Sequence, residues 1–156
     1  MATSPNRVSC LLIPVQSGQQ LLVPNTCIAE ILDYQTPEQR NSPSPWFLGF
    51  IRWRGLRLPL ISYEAANETG AAGLSRNARI AVTNTIGKHA PDLPFIAFLT
   101  TGLPRLAKVA PEELDAVADA PLGKADEMVV LLNGERATIP RFERLEELAR
   151  QAQIEY

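Results

Sequence analysis

The stretch "GFIRWRGLRLPLISY", residues 49–63, decides how this chain is read. It sets Arg52, Arg54, Arg57 and Trp53 among β-forming residues around Gly55. Side chains alternate across a strand. Phe50, Arg52 and Arg54 therefore share one face, and Gly49, Ile51 and Trp53 the other. After the turn, Leu56, Leu58 and Leu60 oppose Arg57, Pro59 and Ile61. Gly55 suits the left-handed position that closes a hairpin. Pro59 cannot donate to a ladder, which predicts an edge strand or an outward-facing amide.

The cationic and aromatic side chains of this hairpin have three uses open to them. They can be solvated. They can form a structural ion pair, since a guanidinium beside apolar side chains needs a carboxylate. Glu30 is the candidate partner, because it stands inside the apolar run "CIAEIL". They can also form a protein-binding surface, since Trp and Arg are enriched at interface hot spots.

Working outward, strand signals dominate. "VSCLLIPV" (8–15) and "QQLLVP" (19–24) flank the turn "QSG" and read as a hairpin. "NTCIAEIL" (25–32) places Ile28, Ile31 and Leu32 at helical spacing behind Asn25 or Thr26 as cap, so a short helix or turn is expected. "DYQTPEQRNSPSPW" (33–46) is a polar, proline-bearing loop, and "SYEAANETG" reads as one or two capped helical turns ended by Gly70. "AAGLSRN" is a flexible connection.

In the second half, "ARIAVTNTI" (78–86), "LPFIAFLTT" (93–101) and "LPRLAKV" (103–109) read as strands. "APEELDAV" has proline and acids at a helix start, so a short helix is expected. "EMVVLL" and "ERATIP" flank Asn133-Gly134, the strongest two-residue hairpin signal in the chain. The tail "FERLEELARQAQIEY" is amphipathic, with Phe142, Leu145, Leu148, Ala149 and Ala152 on one stripe. Short strands at close spacing point to barrels or a sandwich and away from a parallel sheet. "RGLRLPLISYE" and "NGERATIPRFE" echo one another in their order of glycine, arginine, apolar residues, proline and acid.

Composition bounds the function. At 156 residues and 46% hydrophobic, the chain makes one ordinary domain, or two very small ones sharing a core. A formal net charge of −2 speaks against general nucleic-acid binding. The alternative reading is a small β-barrel that stacks single-stranded nucleic acid on its Trp and Arg side chains. Cys10 and Cys27 sit in apolar runs without metal-knuckle spacing and read as buried free thiols in a reducing compartment. No signal-peptide core is visible, and no apolar run approaches the ~20 residues of a membrane span. A cytoplasmic protein without membrane insertion is expected. His89 lies alone in the polar loop "GKHAPD". No catalytic set, metal-ligand spacing or phosphate loop can be assigned, so no catalysis, metal or cofactor is expected.

The order of these segments resembles the CheW-like domain family, the coupling proteins of bacterial chemosensory arrays. The family's core pattern runs glycine, two apolar residues, asparagine, an apolar residue, arginine and glycine, then a strand with proline. Pro45, Gly49, Arg54, Gly55 and Pro59 match it, and Glu30 matches the family's acid ahead of an isoleucine. Arg52 stands where asparagine is usual, and Ser62 and Tyr63 where aspartate and leucine are common. These departures suggest a divergent member, of the ChpC and PilI kinds that serve type IV pili and twitching motility.

The resemblance covers residues 7–148 as a single domain, with 1–6 as a flexible N-terminus and 149–156 as a helix end. It implies a mainly β fold: two small SH3-like five-stranded barrels sharing a hydrophobic core. It implies an adaptor that couples the cytoplasmic tip of a methyl-accepting chemoreceptor to the CheW-like regulatory domain of a CheA-type histidine kinase, with other CheW-like proteins as further partners. It implies that Glu30 and Arg54 pair. Ile28, Ile51 and Val82 are the groove candidates for a receptor helix. Arg52, Trp53 and Arg57 are candidates for a second contact.

Overall fold

The computed structural model describes residues 7–15, 19–38, 44–68 and 74–155. The expected turn at 16–18, the stop at Gly70 and the start of the 71–77 connection lie outside them.

Among the described residues, eleven short strands form two mixed sheets. The central lobe is continuous in sequence: β3 (Ile28–Asp33), β4 (Phe47–Trp53), β5 (Leu56–Ile61), β6 (Arg79–Asn84) and β7 (Phe95–Thr100), in the spatial order β3-β6-β7-β5-β4. The outer lobe combines both ends of the chain. It contains β1 (Val8–Pro14), β2 (Gln20–Pro24), β8 (Arg105–Val109), β9 (Leu114–Ala116), β10 (Asp126–Leu132) and β11 (Glu135–Pro140), in the order β8-β1-β2-β11-β10-β9. The described residues also form the single helical turn α1 (Tyr63–Ala66) and the long α2 (Phe142–Glu155).

The lobes share one topology, cut at different places. In each, an antiparallel hairpin runs into a parallel pairing: β4–β5 meets β7 at Leu60 opposite Ala97, and β10–β11 meets β2 at Thr138 opposite Leu21. The outer lobe ends in β9 against β10. The central lobe reaches the same position with one antiparallel bridge, Glu38 opposite Phe50, so its sixth strand is reduced to a single residue pair. Read as β8-β9-β10-β11-β1-β2, the outer lobe is a circular permutant of the central one. The sequence echo is thus structural. Arg54-Gly55 and Asn133-Gly134 turn equivalent hairpins, with φ of 49° and 79° in one and 51° and 85° in the other. Positive φ at both central residues is the turn whose twist matches the flanking strands.

Ser62 caps α1, its hydroxyl accepting from the Ala65 amide at 3.2 Å. The tail stripe is the buried face of α2: Leu145, Leu148 and Ala149 join Ile13, Leu21, Ile61, Ala81 and Phe98 in a core drawn from both lobes. Each lobe also has its own interior, around Ile51, Trp53, Ile80 and Val82 in the central lobe and around Leu12, Leu22, Val130 and Ala137 in the outer one.

Four expectations are corrected. Residues 25–27 make a single 3₁₀ turn, and Ile28–Asp33 is strand rather than helix; β3 buries its alternate sides against two different cores, which produces a false helical period. "PEE" is likewise a 3₁₀ turn leading into β9. Of the two placements expected for Pro59, the edge strand is excluded, since β5 has β4 on one side and β7 on the other. The proline is tolerated away from the edge because the register with β7 begins only at Leu60. One sheet has six strands instead of five.

Candidate functional site

The hairpin tip is built around Glu30. Its Oε1 accepts from the Trp53 indole Nε1 at 2.9 Å and from Arg54 Nη2 at 3.1 Å. The Arg54 guanidinium lies 4.7 Å from the centre of the Trp53 ring. One carboxylate thus joins β3 to the β4–β5 turn. The Arg54 and Glu30 side chains are 69% and 41% exposed, so this is a surface pair and contributes ~0.2–1 kcal/mol. The Trp53 bond adds more, because the indole ring is buried and edges onto Phe95 at 4.8 Å.

Arg57 and Arg52 stand directly opposite one another on the two strands. Arg57 is fastened down. Its guanidinium sits 3.6 Å from the centre of the Phe50 ring and its Nε lies 3.4 Å from Glu38 Oε2. Arg52 is exposed. Its backbone is held by the Gln35 side chain, which donates to its carbonyl at 3.3 Å and accepts from its amide at 3.4 Å. With the Glu38–Phe50 bridge beside it, this clamp pairs the outer edge of β4 with the chain itself. Such an edge is closed to strand addition.

The expected groove residues part company. Ile28 is half-buried and packs on the shared core. Ile51 and Val82 are buried inside the central lobe, as is Trp53. The protein itself covers the side chains of those three. The sheet's alternation aims them at the lobe interior, and the residues that do line the seam between lobes are others. Ile31 of β3 and Leu11 of β1 are half-buried against the shared core. Leu106 of β8 stands across from Leu11 and is 64% exposed. Strand β8 is predictable from sequence, but its place beside β1 is not, so Leu106 carried no signal.

A second apolar surface opens at the end of the outer lobe. A cavity of about 300 Å³ is lined by Val8, Cys10, Leu22, Val109, Leu114 and Ile139, among others. Burial, then the nearby Cys27, pushes the Cys10 thiol above its ordinary pKa, so it sits there as a small apolar group. The Val8–Val109 pair at this mouth is equivalent to Arg79–Asp33 in the central lobe. There the pair is ionic, with Arg79 Nε 3.6 Å from Asp33 Oδ1. One mouth is therefore apolar and the other charged.

Two buried carboxylates hold this frame together. Asp126, at the start of β10, accepts from the Tyr63 hydroxyl, Asn67 Nδ2 and the Gly123 amide at 2.5, 3.0 and 2.9 Å. Glu146, on the apolar face of α2, accepts from the amides of Ile86 and Gly87 at 3.0 and 2.9 Å. Its place on that stripe, four residues after Phe142, was a legible anomaly. Nothing in sequence marked Asp126. Among the described residues no group of His, Cys, Asp and Glu is arranged to hold a metal, and no helix is long and apolar enough to cross a membrane.

Comparison with known proteins matches this architecture. The CheW-like domain family model matches residues 9–149. The crystal structure of scaffolding protein TtCheW from Thermoanaerobacter tengcongensis is similar in fold, with a TM-score of 0.71 over 90% of this chain and 88% of that one, at 11% sequence identity. No curated protein matches significantly. The chain belongs to the CheW-like domain family, and with it to the noncatalytic scaffolding adaptors of chemosensory signalling.

Proposed function

We propose that this adaptor bridges the cytoplasmic tip of a chemoreceptor and the CheW-like domain of a CheA-type histidine kinase. The observation that carries the reading is the apolar seam between the lobes. Leu11, Ile28 and Ile31 are half-buried on the shared core, with Leu106 exposed beside them. A seam of this kind fits the apolar stripe of an amphipathic helix. The apolar mouth at Val8 and Leu114 suits the end-to-end contact of one small barrel with another. The Glu38–Phe50 bridge supports an SH3-like closure of the central lobe, since it carries the chain from one edge of the sheet to the other. We take residues 7–148 as the functional unit.

We also place the chain with the divergent, pilus-linked members, and Ser62 and Tyr63 support this. Both depart from the family pattern, and both have structural work here, as helix cap and as hydroxyl donor to Asp126.

Co-precipitation with purified receptor tip and kinase domain tests the bridge. Ile31→Asp should lose the receptor fragment and keep the kinase domain. Val8→Asp should do the reverse. Wild-type protein that captures neither fragment overturns the reading.

A further inference from the structure

We infer that Arg52, standing across the ladder from Arg57, is a carboxylate-recognition point for an acidic face of the kinase-type partner, an assignment that rests on the bridging role above. Three arginines lie on or beside the outer face of the β4–β5 hairpin. Two are answered from within the chain, Arg54 by Glu30 and Arg57 by Glu38. The side chain of Arg52 has no hydrogen-bond or carboxylate partner among the described residues, although it faces Arg57 directly across the ladder. Like charges directly opposed on a sheet destabilise it. A carboxylate arriving at Arg52 relieves that repulsion and finds a planar fork suited to two parallel hydrogen bonds.

The backbone beneath Arg52 is immobilised by Gln35, and the β4 edge beside it is paired with Glu38. Recognition here therefore runs through side chains and excludes strand addition. The chemistry favours a point contact with a carboxylate over a phosphate backbone. Glu30 and Glu38 lie within the same basic cluster and repel a polyanion, whose binding needs several free cations in a row. The face lies beside the far end of α2, where Phe50 packs with Ala152. Its unanswered guanidinium suits a carboxylate on the surface of the second, folded partner, and receptor-tip binding through Arg52 is the outcome that overturns this.

The test measures the affinity of full-length protein for the kinase's CheW-like domain by calorimetry at several salt concentrations. Arg52→Glu should weaken binding about tenfold or more, Arg52→Gln less, and the salt slope of both should flatten. Arg76→Glu, an exposed arginine outside both the hairpin and the apolar mouth, is the control and should bind as wild type. Reversing the contacting acid of the kinase domain to arginine should restore binding to Arg52→Glu. Receptor-tip binding should not change.

Wild-type affinity and salt slope in Arg52→Glu would overturn the proposal and leave the bridging role standing. So would loss of receptor-tip binding alone, or a labelled single-stranded oligonucleotide that binds wild type and not Arg52→Glu. A wild-type protein that fails to bind the kinase domain at all removes both readings.

Discussion

Tyr63 of the central lobe donates its hydroxyl to Asp126 of the outer lobe at 2.5 Å, in the buried layer between them. Asn67 completes the joint, donating to Asp126 and accepting from the Ala125 amide at 2.7 Å. Every one of these groups is buried and bonded, so the joint favours one relative placement of the lobes. Removing one partner leaves the other desolvated and unpaired, the costly case for a hydrogen bond. Tyr63→Phe should lower stability by about 1–3 kcal/mol in urea unfolding. An unchanged midpoint would show that the Tyr63 hydroxyl does not stabilise the joint.

The same bond sets an alkaline limit. Burial, then the bond to Asp126, pushes the Tyr63 phenol well above its ordinary pKa. A folded-state pKa above the unfolded value stabilises while the unfolded phenol is still protonated. Above about pH 10 the unfolded chain loses that proton and the folded one keeps it. Stability should therefore fall with rising pH beyond about 10, and fall less steeply in Tyr63→Phe. Parallel slopes for the two proteins would remove Tyr63 as the cause.

The acid side belongs to the outer lobe. The Ala110 amide, then the Asn133 side chain and Arg7, hold Glu113 below the ordinary carboxylate pKa. Glu135 is lowered mainly by Arg105. A lowered folded pKa gives stability that is present above the unfolded value and lost as pH falls through the folded one. The urea midpoint should decline below about pH 4.3. Glu113→Gln should flatten that limb while leaving the alkaline limb alone.

Gly49 has φ 124°, and a Cβ there would lie 2.3 Å from the Glu38 carbonyl oxygen. Backbone blocks it, so no rotamer change relieves the clash. Gly49→Ala should cost about 3 kcal/mol and expose the β4 edge. Increased aggregation, followed by light scattering, is the accompanying sign. Gly55 has φ 79° with nothing near an added Cβ. Gly55→Ala should therefore cost only the local strain, about 1–2 kcal/mol. Equal effects at the two glycines would mean that the Glu38 contact does not matter.

Glu30 and Arg54 separate two contributions of one site. Arg54→Ala breaks an exposed ion pair and should cost under about 1 kcal/mol. Glu30→Ala removes the acceptor of the Trp53 indole as well, and should cost about 1–2 kcal/mol. The opposite ranking would place the stabilisation in the charge pair.

Much of this was legible beforehand. The hairpins at Arg54-Gly55 and Asn133-Gly134 were, because positive φ at two successive positions restricts residue choice locally. The buried face of α2 was, because a helix repeats its pattern every few residues. Strand β3 was misread because a strand between two cores loses its alternation. The seam residue Leu106, the clamp by Gln35 and the joint at Asp126 were invisible because their partners lie 95, 17 and 63 positions away.

By itself, then, the sequence determined most of the local elements and the pattern that resembles a known adaptor family. Local sterics and periodicity act within a few residues and can be read there. Which side chains meet a partner was decided only by the tertiary structure. Each apolar residue of a strand points either into its lobe or toward the seam, and that choice depends on which distant strand lies beside it. The same packing buried Ile51, Trp53 and Val82, tied Arg54 and Arg57 to Glu30 and Glu38, and left Arg52 facing outward.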